Sequence, residues 1–257
     1  MPIDQDITLL AHLAVLVAGA IAGFVDSIAG GGGLITVPSL LAVGLPPHLV
    51  LGTNKLASTM GVLTALSRYR DGGLVRLREW ALAIACTAAG AATGTLLIQR
   101  LEPSFLGWLV PVLLVAILVY TLMSPDLGSR PAAARVGRRT VQVGGGLVLG
   151  FHDGFFGPGT GAFWALALVT LAGLDLRRAT AATKVMNATS NVVALGVFTL
   201  GGHVVWSLGL AMGAGQILGA LLGSRQVLRR TPGFVRWFLV ATVGLTAGKM
   251  LLDRLVG

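Results

Sequence analysis

The sequence predicts an all-α polytopic membrane protein built from two inverted repeats of about five helical elements each. Of its 257 residues, 54% are hydrophobic and only 11% are charged, whereas a soluble domain carries about 25% charged residues. Its longer apolar stretches approach the roughly 17–25 residues that span a bilayer as a helix. The two halves of the chain also share motifs at a nearly constant offset, which indicates structural repeats.

Ten apolar segments divide the chain into two halves. The first half contains the segments 7–28, 34–44, 48–68, 79–99 and 105–123. The second half contains the segments 140–156, 160–173, 178–200, 204–224 and 234–252. A Pro-, Gly- and Arg-rich stretch separates them. It predicts a first transmembrane repeat over 1–123, a cytoplasmic linker over 124–139 and a second transmembrane repeat over 140–257.

Two of these segments are too short to cross a membrane as helices. The segment 34–44 has 11 residues, which as a helix would cover about 16 Å, or half of the hydrocarbon thickness. The segment 160–173 is only slightly longer. We therefore predict short broken or re-entrant helices at 34–44 and 160–173.

Matching motifs define the repeats. The matching stretches are GFVDSIAGGGG at 23–33 with GFHDGFFGPGT at 150–160, and TNKLAS at 53–58 with ATKVMN at 182–187. Asp26 falls on Asp153 and Lys55 falls on Lys184. Because each repeat has five elements, the second begins on the opposite side of the membrane, which makes the repeats inverted. Secondary transporters often have this arrangement, but a channel can share it.

Arginine clusters predict the orientation in the membrane. The arginines that form them are Arg68, Arg70, Arg76, Arg78, Arg130, Arg135, Arg138, Arg139, Arg177, Arg178, Arg225, Arg229 and Arg230. By the positive-inside rule their loops are cytoplasmic, which places the N-terminus on the outer side. The net charge of +9 therefore reflects topology, and we expect a lipid bilayer rather than nucleic acid as the partner.

The charges inside apolar segments are few and follow the repeats. All three lysines, Lys55, Lys184 and Lys249, lie in such segments, and among the acidic residues only Asp26 and Asp153 do. We expect two pairs, Asp26 with Lys55 and Asp153 with Lys184. A charge at the bilayer centre costs at least about 2.5–3.5 kcal/mol, and intramembrane charges usually mark functional sites. The alternative is that the pairs are salt bridges that stabilise the fold. Lys249 is expected to extend toward the membrane surface.

The glycine run Gly30–Gly33 gives the first short helix a role in binding. A helix break at membrane depth frees backbone N–H groups, which is tolerated where they are bonded to protein or line a cavity. The short helix would then point the positive end of its dipole at that cavity. Gly157, Gly159 and Gly161 repeat the arrangement. Two helix N-termini and two lysines around a central point predict an anion site.

Candidate site residues follow from this arrangement. Those predicted to bind substrate are Lys55, Lys184, Gly31, Gly32, Gly33, Thr53, Asn54, Gly159, Thr160, Thr183 and Asn187. Asp26, Asp153 and His152 are the candidates for proton coupling or gating. The hydroxyl and amide side chains could instead bond between helices, and His152 could be a packing residue.

Close packing is the alternative role for glycines in membrane helices. It is the role predicted for Gly90–Gly94 and Gly215–Gly219, which have the spacing of helix-contact motifs. For Gly30–Gly33 it remains the alternative to a broken tip at a site.

The sequence contains neither a nucleophile–histidine–acid set nor a metal-ligand cluster. We therefore expect no enzyme activity, no cofactor and no metal. A membrane-embedded enzyme or assembly factor would need catalytic residues of a kind that we do not find.

At these motifs the chain resembles the TauE/SafE sulfite exporter family of bacterial membrane proteins. The resemblance rests on G-x-x-D-x-x-x-GGGG-x-x-x-x-P from Gly23 to Pro38, on L-GTNK at 51–55 and on the degenerate copy from Gly150 onward. It implies a carrier in the bacterial inner (plasma) membrane. In that membrane, the orientation predicted from the arginines places the N-terminus in the periplasm. The implied substrates are small sulfur-containing anions such as sulfite, organosulfonates or sulfoacetate, moved mostly outward.

Several alternatives stay open at this point. Proton coupling through the Asp–Lys pairs is a hypothesis, and an anion channel could use the same lysines as a passive filter. A homodimer is another open alternative. Pro158 and Thr160 replace glycines in the second copy, so the two half-sites need not contribute equally.

Overall fold

A computed structural model of the chain describes residues 8–102, 104–105, 112 and 135–229. The regular secondary structure of these residues is helical. The helices are α1 (Leu9–Ala29), α2 (Gly33–Ala42), α3 (Pro47–Asp71), α4 (Ala81–Ile98, after a 3-10 turn at Leu77–Trp80), α5 (Gly146–Phe155, after the turns Arg138–Thr140 and Val141–Gly145), α6 (Thr160–Thr170), α7 (Leu176–Leu200) and α8 (Trp206–Arg229). The predicted segment 234–252 with Lys249, and the segment 105–123 apart from Phe105 and Val112, lie outside the described residues.

Within the described part of the chain, four stretches are long and apolar enough to cross a membrane: Leu9–Ala29, Pro47–Asp71, Leu77–Ile98 and Trp206–Leu228. Large apolar side chains such as Leu13, Val17, Leu96 and Leu218 are about half exposed on their surfaces. An exposed apolar surface of this kind suits contact with lipid. The predicted all-α polytopic membrane protein is confirmed.

The predicted short helices are present, and glycines set where they begin. The helix α2 has 10 residues and α6 has 11, so each covers about half of a bilayer's hydrocarbon core at 1.5 Å per residue. Gly30 ends α1 with a φ of 79° and Gly159 precedes α6 with a φ of 85°. Glycine adopts this left-handed conformation without steric cost, so the chain can turn sharply at both points.

The helices of the two halves correspond in order and register. The helix α2 begins at Gly33 and α6 at Thr160, 127 residues later. The helices α3 and α7 both have 25 residues and begin 129 residues apart, at Pro47 and Leu176. The 3-10 turn before α4 and the start of α8 are also 129 residues apart, at Leu77 and Trp206.

Contacts at the helix ends show that α3 and α7 run in opposite directions. The start of α3 lies at His48, whose ring is 5.0 Å from that of His203, just after α7 ends. The end of α3 at Gly72 packs against Leu228, whose carbonyl accepts a hydrogen bond from Arg177 at the start of α7. We call these the histidine end and the arginine end. Opposite directions for equivalent helices support the predicted inversion of the repeats across a membrane, which itself stays a prediction.

The first helix of each half packs on the last described helix of the other half, α1 on α8 and α5 on α4. Glycines make these contacts close. A Cβ built on Gly215 would lie 2.0 Å from the carbonyl oxygen of Leu16, and one built on Gly90 would lie 2.5 Å from that of Leu147. Both distances are far below van der Waals contact. The predicted close packing at Gly90–Gly94 and Gly215–Gly219 is confirmed.

Polar residues separate two apolar clusters along α7. The stretch from Ala179 to Met186 contributes to one cluster, and Ala194 and Phe198 contribute to the other. Between them lie the buried polar residues Asn187, Ser190 and Asn191. This polar layer is where the helix breaks of both halves meet.

Candidate functional site

Two buried lysines on equivalent helices each bind the helix break of the other half. Lys55 on α3 is 1% exposed and Lys184 on α7 is fully buried. The Lys55 Nζ lies 2.7 Å from Asp153 Oδ1, and the Lys184 Nζ lies 2.8 Å from Asp26 Oδ2. The four charges therefore form two pairs that cross between the repeats.

The predicted pairing within each repeat is wrong. We expected Asp26 with Lys55 and Asp153 with Lys184, whereas each aspartate binds the other lysine. The physical reason is that α3 and α7 pack against each other, so that each lysine reaches across the contact. Repeat alignment identifies equivalent residues but does not determine which tertiary neighbour each of them meets.

The two breaks contact each other through their backbones. A Cβ built on Gly30 would lie 2.5 Å from the carbonyl carbon of Gly161, and one on Gly33 would lie 2.9 Å from the Cα of Pro158. At Gly157, whose φ is 102°, a Cβ would lie 3.0 Å from Lys55 Nζ. Glycine is needed at these positions because a side chain would separate the breaks from each other or from a lysine.

A small polar cavity of about 30 Å³ lies at this meeting point. It is lined by Asp26, Gly30, Gly33, Asn54, Lys55, Ser58, Asp153, Gly157, Gly159, Gly161, Asn187 and Asn191. A cavity of this size has room for water-sized molecules. The Oδ1 atom of Asn187 is buried without a hydrogen-bond partner, so the cavity offers an unused polar group to whatever enters it.

The pair on the α7 side of the cavity is held by additional donors and acceptors. We call Lys55, Asp153, Ser190 and Asn191 the Lys55 group. The Lys55 Nζ donates to the Asp153 backbone oxygen, to Asp153 Oδ1 and to Asn191 Oδ1 at 3.1 Å. These three acceptors match the three donors of an ammonium group. The hydroxyl of Ser190 donates to the other carboxylate oxygen, Asp153 Oδ2.

The equivalent Lys184 group, formed by Lys184, Asp26 and Gly32, is held more loosely. The Lys184 Nζ donates to the Asp26 backbone oxygen and to Asp26 Oδ2. The second carboxylate oxygen, Asp26 Oδ1, accepts from the Gly32 N–H at 3.4 Å, which is long for a hydrogen bond. The Asp26 side chain is 20% exposed and that of Asp153 is 6% exposed. The two half-sites therefore differ in structure.

Seven of the residues predicted to bind substrate or to take part in proton coupling line the cavity, together with Gly30, Gly157 and Gly161 of the two glycine stretches. The seven are Lys55, Gly33, Asn54, Gly159, Asn187, Asp26 and Asp153. Lys184 is not among the lining residues but binds the carboxylate of Asp26, which is, and the Gly32 N–H contacts the same carboxylate. Gly31 lies against the side chains of Val25 and Leu34.

The four remaining candidates form hydrogen bonds or packing contacts and are not among the residues that line the cavity. Thr53 accepts from the Val205 N–H at 3.0 Å, and Thr183 donates to the Ala179 carbonyl in its own helix. Thr160 bonds His152 Nδ1 at 2.8 Å and donates to the Gly157 carbonyl. His152 packs edge-on against Phe156 and Phe163, as the packing alternative expects.

Sequence reasoning missed Ser58 and Ser190, which line the cavity or bind its carboxylate. Both carried a detectable signal. Ser58 lies 129 residues before Asn187 and is therefore its repeat equivalent. Ser190 lies three residues after Asn187, on the same face of a helix. Among the residues that the structure describes, no group of three or more His, Cys, Asp or Glu side chains could hold a metal ion.

A comparison with known proteins identifies the family. The profile described as sulfite exporter TauE/SafE matches residues 15–250. The chain belongs to this family. Two relatives, one from Escherichia coli K12 and one from Haemophilus influenzae, are similar to this chain over most of its length. The first, named "Probable membrane transporter protein YfcA", is 43% identical over 91% of this chain and 87% of the relative. The second, named "Probable membrane transporter protein", is 41% identical over 98% of each.

A more distant relative in Bacillus subtilis, named "Probable membrane transporter protein YjnA", is 24% identical over 93% of this chain and 99% of the relative. No solved structure matches the chain. The resemblance drawn from the glycine, aspartate and lysine motifs is confirmed, and this TauE/SafE-family protein is a multi-pass membrane protein of a transporter family.

Proposed function

We propose that this TauE/SafE-family protein is a secondary carrier that exports small sulfur-containing anions such as sulfite, organosulfonates or sulfoacetate. It would act in the bacterial inner membrane with its N-terminus in the periplasm. The observation that carries the proposal is the two buried Asp–Lys pairs at two touching helix breaks, beside a small polar cavity lined by Lys55, Asp26 and Asp153. Intramembrane charges of this kind commonly mark the path of a transported ion.

The size of the cavity supports a carrier rather than an open pore. A cavity of about 30 Å³ suits water-sized molecules, and a sulfite or sulfonate anion is larger. The anion can therefore enter only when the two breaks move apart and an Asp–Lys pair opens. A site that must open to one side and close again is the basis of alternating access.

The charge balance of the site supports proton coupling. Lys55 and Lys184 together with Asp26 and Asp153 sum to zero charge while all four are ionised. Adding one anion to this set in a medium of low dielectric constant would leave an unbalanced negative charge, which is costly. Protonation of one carboxylate removes that imbalance and frees a lysine for the anion. We therefore propose that one proton and one monovalent anion move together.

Polar groups at the cavity could orient the oxyanion once it is there. Asn187 has an unpartnered amide oxygen, and the O and N atoms of an amide can exchange by a flip of the side chain. Flipped, its NH₂ group would donate to the anion. The glycines Gly33 and Gly159 at the starts of the short helices line the same cavity, where the helix dipoles favour negative charge.

The test is flux in proteoliposomes, with sulfite, sulfate, thiosulfate and sulfoacetate as probes. Lys55→Met and Lys184→Met should each abolish uptake of the transported probe. Lys249→Met is the matched control, because the sequence places this third lysine near the C-terminal end, and it should transport at the wild-type rate. Undiminished flux in both lysine variants would contradict the proposal. Saturable, pH-gradient-dependent flux supports a carrier, and an ohmic single-channel current would instead establish the anion channel.

A further inference from the structure

The two carboxylates of the site are equivalent by repeat but not by structure, and the difference assigns them separate roles. We propose that Asp26 is the carboxylate that takes the proton and releases its lysine, while Asp153 stays ionised and bound to Lys55 throughout the cycle. This inference rests on the proposed function and deepens it, because it assigns the moving proton to one residue.

Asp153 is held at both carboxylate oxygens. Its Oδ1 accepts from Lys55 Nζ and its Oδ2 accepts from the hydroxyl of Ser190. The side chain is 6% exposed. Protonation of Asp153 would break a charge-assisted hydrogen bond and leave the buried ammonium of Lys55 without its counter-ion, which is strongly unfavourable.

Asp26 lines the cavity and has one weakly bonded carboxylate oxygen. Its Oδ2 binds Lys184, but its Oδ1 has only the 3.4 Å contact with the Gly32 N–H. The side chain is 20% exposed and lines the cavity. A proton that arrives through the cavity can therefore bind Oδ1 without displacing a strong donor.

The sequence difference behind this asymmetry lies in α3 and α7. Ser190 and Asn191 hold the Lys55 group, and the positions 129 residues earlier are Gly61 and Val62. Glycine has no side chain to donate, and Val62 is apolar and buried. The Lys184 group therefore lacks the hydroxyl and the amide that hold the Lys55 group.

The charged and titratable groups around Asp26 favour this assignment. Lys184 on α7 binds its carboxylate, and Lys55 and Asp153 line the same cavity. Tyr69 on α3 is buried nearby and donates its hydroxyl to the Ser27 carbonyl. The helices α2 and α6 carry no ionisable side chain, and the charges of α8 are arginines in its last two turns. Lys184 is thus the direct counter-ion that Asp26 releases when it is protonated.

The step balances in charge and in atoms. One proton adds to Asp26 Oδ1 and the carboxylate becomes a neutral acid. The Lys184 ammonium loses its ionic partner and binds the incoming monovalent anion instead. When the anion leaves on the other side, the proton leaves Asp26 and the Asp26–Lys184 pair reforms. The Lys55 group keeps the second half's break, through Asp153, attached to α3 and α7 during the exchange.

Infrared difference spectra of the reconstituted full-length protein between alkaline and acidic pH test the assignment, because a protonated carboxyl group has a distinct carbonyl stretch. Subtraction of a variant's spectrum from that of the wild type isolates the band of the altered residue. Asp26→Asn should lose one carboxyl band, and Asp153→Asn should keep it. If Asp153→Asn does not fold, Ser190→Ala, which removes the hydroxyl that donates to Asp153 Oδ2, should leave the band at its wild-type frequency. A shifted band would assign the proton to Asp153 and overturn the inference. Loss of the band in Asp153→Asn, or its persistence in Asp26→Asn, would overturn the inference.

A second measurement separates this inference from the proposed function. In proteoliposomes, Asp26→Asn should lose pH-gradient-driven sulfite uptake while it retains sulfite counterflow, because anion exchange needs no net proton movement. If the wild type moves none of the probe anions, the proposed function fails, and the infrared bands still decide which aspartate titrates. If Asp26→Asn keeps gradient-driven uptake, the inference fails and the carrier function stands.

Discussion

Gly30 and Gly161 lie in backbone contact, so that neither position has room for a Cβ atom. Gly30 ends the first helix of one half and Gly161 is the second residue of the short helix in the other. Their contact joins the two helix breaks, and both glycines line the polar cavity at the site.

We expect Gly30→Ala to destabilise the protein by more than the backbone strain of placing alanine in a left-handed conformation. Gly44 provides the matched control, because it has a φ of +88° with nothing within 4 Å of its missing Cβ, whereas Gly30 has a φ of +79° and a close backbone neighbour. Gly44→Ala should cost about 1–2 kcal/mol from backbone strain, and Gly30→Ala should cost this amount plus the overlap. Thermal unfolding in detergent measures both, and equal losses would show that the contact is unimportant.

Removal of one partner of the Lys55–Asp153 pair should cost more than removal of both. Lys55→Met leaves the Asp153 carboxylate buried without its counter-ion, which costs about 3–5 kcal/mol, whereas well-packed apolar replacements of both partners are often neutral. The double variant Lys55→Met/Asp153→Leu should therefore recover most of the lost free energy of unfolding, although transport should stay absent. A double-mutant cycle in chemical unfolding measures the coupling. Additive losses would contradict the pairing seen in the structure.

The glycines of the α1–α8 contact should not tolerate alanine. A Cβ on Gly215 would lie 2.0 Å from the Leu16 carbonyl oxygen, whereas one on Gly196 in α7 meets nothing within 4 Å. Gly215→Ala should force the helices apart and lower the melting temperature. Gly196→Ala should raise stability by about 0.5–1 kcal/mol, because alanine is the better helix former. The opposite signs make this pair of variants a direct test of close helix packing.

Stability should fall with acidification because of the histidine end. Burial holds the pKa of His203 below its ordinary value of 6.5, so the folded protein keeps this ring neutral over a range of pH in which the unfolded chain is already protonated. The unfolded state then binds more protons, and the free energy of unfolding falls as pH decreases from about 6.5 toward the lowered pKa of His203. Melting temperatures measured from pH 8 to pH 5 should drop, and less so in His203→Gln. An identical decrease in both proteins would assign the effect to other groups.

The sequence was sufficient to predict the described helices, the breaks and most of the residues that line the cavity, because each depends on local chemistry. Apolar length, glycines at the breaks and lysines confined to apolar segments are all visible in the chain. The pairing of Asp26 with Lys184 was not predictable in this way, since it depends on how α3 packs against α7. The separate environments of the two aspartates were also hidden, because Ser190 and Asn191 acquire their role only where α7 meets the opposite break.

The crossed pairs have a consequence for the order of synthesis. The partner of Lys55 lies 98 residues further along the chain and that of Asp26 lies 158 residues further. At about 5–20 residues per second, roughly 8–30 s pass between the synthesis of Asp26 and that of Lys184. The first half must therefore enter the membrane with two charges whose final partners do not yet exist, and neither half can reach its charge-balanced form by folding alone.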